Sequence, residues 1–161
     1  MRSFRILSIL VLFSIAFMGC PYSAEIPIDN AVVKIDEKLL GKWESKSSSD
    51  YMYTVSKEDG MTYKIEKKSN SSGDITTYKG YLSDISGTRY LNVWEDGSAT
   101  RTYYFYKVEV STSGAKSTLS PVTENITEKF TTSAELKDFF RKNQALSFFF
   151  DKDQDVYIKA D

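Results

Sequence analysis

The chain has 161 residues, 21 Lys plus Arg against 22 Asp plus Glu, one cysteine and no histidine. A formal net charge of −1 leaves no concentrated basic face for nucleic acid, and the chain is expected to bind none. Without histidine, no Ser-His or Cys-His nucleophile system and no His-based zinc site can be built, so neither a metal nor a cofactor is expected. Tyr and Phe are abundant, at 11 and 10, which favours β-structure.

In chain order, Arg2 and Arg5 precede an apolar run, Ile6 to Met18, broken only by Ser8 and Ser14. Gly19-Cys20 follows at once. A charged start, an apolar middle and a small residue at the junction make an export signal. A membrane span needs ~20 apolar residues; this run is shorter, and Pro21 stops any helix that would continue. Phe17-Met18-Gly19 is not the A-x-A-like site of an ordinary cleaved signal.

Phe17-Met18-Gly19-Cys20 resembles the lipobox of bacterial lipoproteins. The resemblance implies that the Cys20 thiol receives a diacylglyceryl group, that residues 1–19 are removed as the signal peptide, and that Cys20 becomes the first residue. Loss of Arg2 and Arg5 then takes the net charge from −1 to −3. Pro21, rather than Asp, follows the cysteine, which by resemblance to the enteric sorting rule implies the outer membrane. Residues 20–35 lack a clean period and contain Pro27, so they read as a lipidated tether lifting a domain, residues 36–161, off the membrane.

Asp36 is placed to cap a short helical turn, Glu37 to Leu40, ended by Gly41. Trp43 then opens a strand. Tyr51 to Val55 is a second, and Asp59-Gly60 is a hairpin signal. Met61, Tyr63 and Ile65 alternate with polar residues. Ser69 to Asp74 is a loop. Ile75 to Ile85 is a strand bent at Gly80, and Ser86-Gly87 a turn. Thr88 to Trp94 and Thr100 to Val110, the latter expected to be the longest strand, flank the Asp96-Gly97 turn. Lys116 to Val122 follows a loop. Even spacing of strands and turns predicts an antiparallel meander. Thr132-Ser133-Ala134-Glu135 is a capping box opening an amphipathic helix, about Ser133 to Lys142, with Leu136, Phe139 and Phe140 on its apolar face. Phe148 to Phe150 and Val156 to Ile158 read as two short closing strands. The fold class is thus mainly β, a meander of roughly eight strands closing into a barrel.

Gly41-Lys42-Trp43, after a helical turn and opening the first strand, resembles the G-x-W signature of lipocalins. The resemblance implies a barrel enclosing a small apolar ligand, with Trp43 packed across the closed end and an Arg stacked on it. No such Arg stands out. Trp94, beside Glu95-Asp96-Gly97, is expected to be more exposed than Trp43 and to be a partly exposed site.

In Tyr103 to Val110, the residues Tyr104, Tyr106, Val108 and Val110 share one face, and Tyr103, Phe105, Lys107 and Glu109 the other. The first set reads as core or as ligand cavity wall, with Tyr104, Tyr106 and Val108 the candidate ligand contacts, and the second as lying under the helix. Asp151 to Asp155 opens like a calcium loop but lacks the sixth-place Gly and reads as a charged turn. Glu44, Asp84, Glu95 and Asp96 are the acids available to a carboxylate hydrolase, though no pair stands out. The leading expectation is a non-catalytic, lipid-anchored envelope protein whose barrel takes a small apolar or amphipathic ligand. The alternative is a filled barrel serving as a structural or protein-interaction module.

Overall fold

The computed structural model describes residues 21–160. The expected signal peptide, residues 1–19, and Cys20 fall outside the described residues. Among the described residues, eight strands close into an antiparallel barrel: β2 (Gly41–Ser45), β3 (Tyr51–Lys57), β4 (Thr62–Ser69), β5 (Ile75–Ile85), β6 (Thr88–Glu95), β7 (Tyr103–Val110), β8 (Lys116–Pro121) and β9 (Asp155–Ala160). Each pairs with the next, and β9 pairs with β2 through Trp43↔Lys159, which leaves the ring no free edge. A two-residue strand, β1 (Ser23–Ala24), pairs with the start of β7, and one helix, α1 (Ser133–Asn143), precedes β9.

Local chemistry explains most elements. The Asp36 carboxylate accepts the Lys38 amide and caps a 3-10 turn at Glu37–Leu39. Ser86 and Gly87 both have positive φ (53° and 85°), as a two-residue hairpin turn requires, and Asp84 Oδ1 accepts the Gly87 amide. At Asp59-Gly60 the hairpin forms differently. Gly60 stays outside the left-handed region, and Asp59 Oδ1 closes the turn by accepting the amides of Met61 and Thr62. Both halves of the Thr132–Glu135 capping box are present at the start of α1. At Gly80 the pairing of β5 to both neighbours runs on without a bulge. What the glycine supplies is room, since a Cβ there would lie 3.1 Å from the Asn92 carbonyl oxygen.

Four expectations are corrected. Residues 21–35 are no free tether. Tyr22 N–H donates to the Val122 carbonyl, Ile28 is fully buried, and Ile35 N–H reaches the Gly60 carbonyl at the far end of the barrel. The segment is a strap along the outer wall, because Tyr22, Ile26 and Ile28 have an apolar surface to cover. The longest strand is β5, as β7 starts only at Tyr103. Phe148 to Phe150 makes a single bridge, Val122↔Phe150, rather than a strand; Phe149 is buried while Phe148 is 67% exposed. Trp94 is the more exposed of the two tryptophans, as expected, but at 8% beside 3% for Trp43 it is buried and not at a partly exposed site.

The reason for the last point is that two cores exist. One lies inside the barrel's end, around Leu39, Tyr63, Leu82, Leu91 and Val108. The other lies outside the wall, where Tyr81, Tyr90, Trp94, Tyr103 and Phe105 of β5–β7 meet Leu136 and Phe140 of α1, Phe149 and the strap. Asp29 ties these layers together. It accepts Ser83 Oγ–H and the Lys137 ammonium (2.7 Å) on its carboxylate, and Tyr81 O–H (2.5 Å) on its carbonyl.

Candidate functional site

Inward-facing side chains alternate along each strand and line a lumen of about 590 Å³. One end is closed. Trp43 Nε1–H donates to the Leu39 carbonyl (2.8 Å), which fixes the 3-10 turn beneath the ring. The β7–β8 loop packs on that turn through Gly114 and Lys38. Asp36 N–H donates to the Tyr63 hydroxyl (2.5 Å), and Arg89 Nη1 pairs with Asp36 Oδ2 at 2.6 Å. Burial alone pushes the Asp36 carboxyl up; the Arg89 hydrogen bond and charge and the Lys38 amide together hold it below its ordinary value. Burial raises the Tyr63 hydroxyl to about 12.

Gly41-Lys42-Trp43 thus lies across the closed end. The cation over its ring is a lysine and not the Arg that the resemblance implies: Lys159 on β9, with Nζ 5.1 Å from the Trp43 ring centroid. The same Nζ donates to the Lys38 carbonyl (3.2 Å). Sequence reasoning missed Lys159 because 116 positions separate it from Trp43 and because it is a lysine. The positive φ of Gly41 (124°) is backbone geometry that favours glycine.

Above the closed end the wall is apolar, with Val55, Ile65, Val93, Val108 and Leu119. Toward the other end it becomes a belt of tyrosines, Tyr53, Tyr78, Tyr104, Tyr106 and Tyr157, joined by Lys67, Glu95, Asp155 and Pro21. Tyr53 and Tyr157 meet edge to face, ring centroids 5.3 Å apart. Burial raises the pKa of Tyr53, Tyr78, Tyr106 and Tyr157, so their hydroxyls stay neutral near pH 7 and can donate and accept hydrogen bonds. Ser117, 4% exposed, also lines the lumen, and its Oγ has no hydrogen-bond partner among the described residues. A buried hydroxyl of this kind is costly unless something satisfies it.

All three candidate contacts, Tyr104, Tyr106 and Val108, line the lumen, while Phe105 packs on Phe140 of α1 at 5.4 Å. Tyr53, Tyr78, Ser117 and Tyr157 were not singled out from the sequence; their alternation was visible, but not which face the closed ring would turn inward. Of the four acids considered, only Glu95 lines the lumen, joined there by Asp155. Glu44 is exposed, Asp84 holds its turn, and Asp96 lies 3.6 Å from Lys79. Among the described residues, no three acidic groups gather as a metal site, and no helix is long and apolar enough to cross a membrane.

Compared with family models, curated proteins and solved structures, the chain matches none.

Proposed function

We propose that this chain is a lipid-anchored protein of the bacterial envelope whose barrel holds one small amphipathic ligand, apolar part down and polar part at the tyrosine belt. The observation that carries the reading is the lumen. Its ~590 Å³ falls within the ~300–1,000 Å³ typical of small-molecule sites, far above the ~10–15 Å³ that one water needs. A filled barrel acting only as a scaffold would close-pack this space. The arrangement of polarity supports the orientation: aliphatic side chains line the depth, and neutral hydroxyls with one lysine and two carboxylates line the upper wall. The lipobox-like Phe17-Met18-Gly19-Cys20 supports the anchor, and Pro21 after the cysteine supports the outer membrane.

The test of binding is titration of the full chain with a long-chain fatty acid carrying an environment-sensitive fluorophore. One saturable site is expected. Val108→Trp or Ile65→Trp, each placing an indole in the lumen, should abolish it while the far-ultraviolet circular dichroism stays unchanged. Absence of saturable binding, or equal binding by the filled but folded variants, would overturn the ligand-binding reading. Metabolic labelling with a tagged fatty acid tests the anchor: wild type should carry the label and Cys20→Ser should not.

A further inference from the structure

We infer that the barrel's mouth faces the bilayer and that its ligand is the acyl chain of a membrane lipid, entering the lumen directly from the membrane. This rests on the lipid-anchored, ligand-binding reading above and deepens it by naming the source of the ligand. The argument starts from the ends of the strands. The 3-10 turn, the Asp59-Gly60 and Ser86-Gly87 turns and the β7–β8 loop all gather at the closed end. The opposite end holds the starts of β3, β5, β7 and β9. There β1 pairs with Tyr103 and Tyr104, and Pro21 lines the lumen itself. The strap then carries residues 25–35 away from the mouth to the closed end.

Cys20 directly precedes Pro21 in the sequence. An acylated Cys20 therefore tethers the open end of the barrel, not its closed end, against the membrane. Because residues 21–35 are packed rather than extended, no spacer lets the mouth turn away. A lipid chain could then pass from bilayer to lumen without crossing water. The mouth suits such a passage. Tyr51 and Ile75, which start β3 and β5, are exposed at its rim, and the belt of tyrosines with Lys67 has the amphipathic character of the lipid interface. At the belt, the neutral tyrosine hydroxyls and Lys67 offer hydrogen bonds to an ester or headgroup oxygen.

The experiment uses the full-length, acylated protein in vesicles of phosphatidylethanolamine and phosphatidylglycerol doped with a phospholipid bearing a diazirine on its acyl chain. After irradiation, adducts are mapped by peptide mass spectrometry. Adducts are expected on lumen-facing positions of β7 and β8, such as Tyr106 and Leu119. Inserting about 15 Gly and Ser residues between Cys20 and Pro21 adds roughly 20 Å of reach. It should reduce these adducts about tenfold, since effective concentration at the mouth falls with linker length. Leu119→Trp should remove them; should that variant fail to fold, the peptide map and the spacer still decide. Adducts confined to the outer wall, or unchanged by the spacer, would overturn the inference. So would feeding cells a diazirine fatty acid and finding the Cys20-linked chain itself crosslinked to the lumen while vesicle lipid is not. The mass of the Cys20 peptide separates the two readings. An unmodified cysteine removes the anchor, whereas an acylated chain without lumen adducts removes only the membrane source.

Discussion

Truncating each tryptophan in turn tests whether the two cores have been identified correctly. Trp43→Ala removes a ring that is 3% exposed, its hydrogen bond to the Leu39 carbonyl and its contact with the Lys159 ammonium. A large-to-small change of this kind costs ~3–5 kcal/mol. Trp43 already borders the lumen, however, so the space left behind merges with an existing one and fewer packing contacts are forfeited on that side. The cost should fall near ~3 kcal/mol. Trp94 lies in the outer core, its ring 5.9 Å from Tyr81 and 5.5 Å from Tyr103, with the Arg101 guanidinium 5.0 Å from its centroid. Its removal opens a closed void and breaks two aromatic pairs worth ~0.5–1.5 kcal/mol each. Trp94→Ala should therefore cost at least as much as Trp43→Ala, in the upper part of ~3–5 kcal/mol. This reverses the order that its position beside Glu95-Asp96-Gly97 suggests. The assay is urea unfolding of the chain from residue 21 onward, followed by circular dichroism because a fluorophore is lost. Trp43→Phe, which keeps an aromatic ring but not the N–H, should cost ~1–3 kcal/mol. A loss under ~2 kcal/mol for Trp94→Ala, as at a partly exposed surface site, would show that the outer layer is not a packed core.

Asp29→Ala should cost ~1–3 kcal/mol by leaving the buried Ser83 hydroxyl short of an acceptor, and hydrogen exchange should accelerate in residues 22–31 and in α1 together. An effect confined to the strap would show that Asp29 does not couple the layers. Asp36 has a carboxyl held below its ordinary value, so its contribution is present above its unfolded pKa of ~3.9 and is lost as pH falls through the lower folded value. Asp36→Asn should be destabilised at neutral pH and converge on wild type upon acidification; a constant gap in urea midpoint across that range would refute the Arg89 pairing. Gly80→Val should cost ~1–3 kcal/mol, because the neighbouring Asn92 carbonyl is backbone and yields little. A neutral melting temperature would mean that the β5–β6 approach is looser than drawn.

Much of this molecule is decided by short-range chemistry, and the sequence alone determined it. Alternation over Tyr103 to Val110, the Asp59 and Ser86-Gly87 turns, and the Thr132–Glu135 capping box each depend on neighbours within a few positions. The mainly β meander, the helix and the shared face of Tyr104, Tyr106 and Val108 follow from them. What only the tertiary structure decided depends on partners far along the chain. Strands β5 to β7 bury both faces, one on the lumen and one under α1, so their alternation does not distinguish the wet side from the dry. Trp94 was misread for that reason. Residues 21–35 have no period because a strap bonds irregularly, as Tyr22 does to Val122 and Ile28 to Asn92; aperiodic sequence looks the same whether it is free or packed. Lys159 meets Trp43 only because β9 closes against β2. The open end of the barrel lies beside Pro21 for a similar reason. Which end of a closed sheet the described chain joins first is set by the β1–β7 pairing of Ser23 with Tyr104 and Ala24 with Tyr103, and no local propensity encodes it.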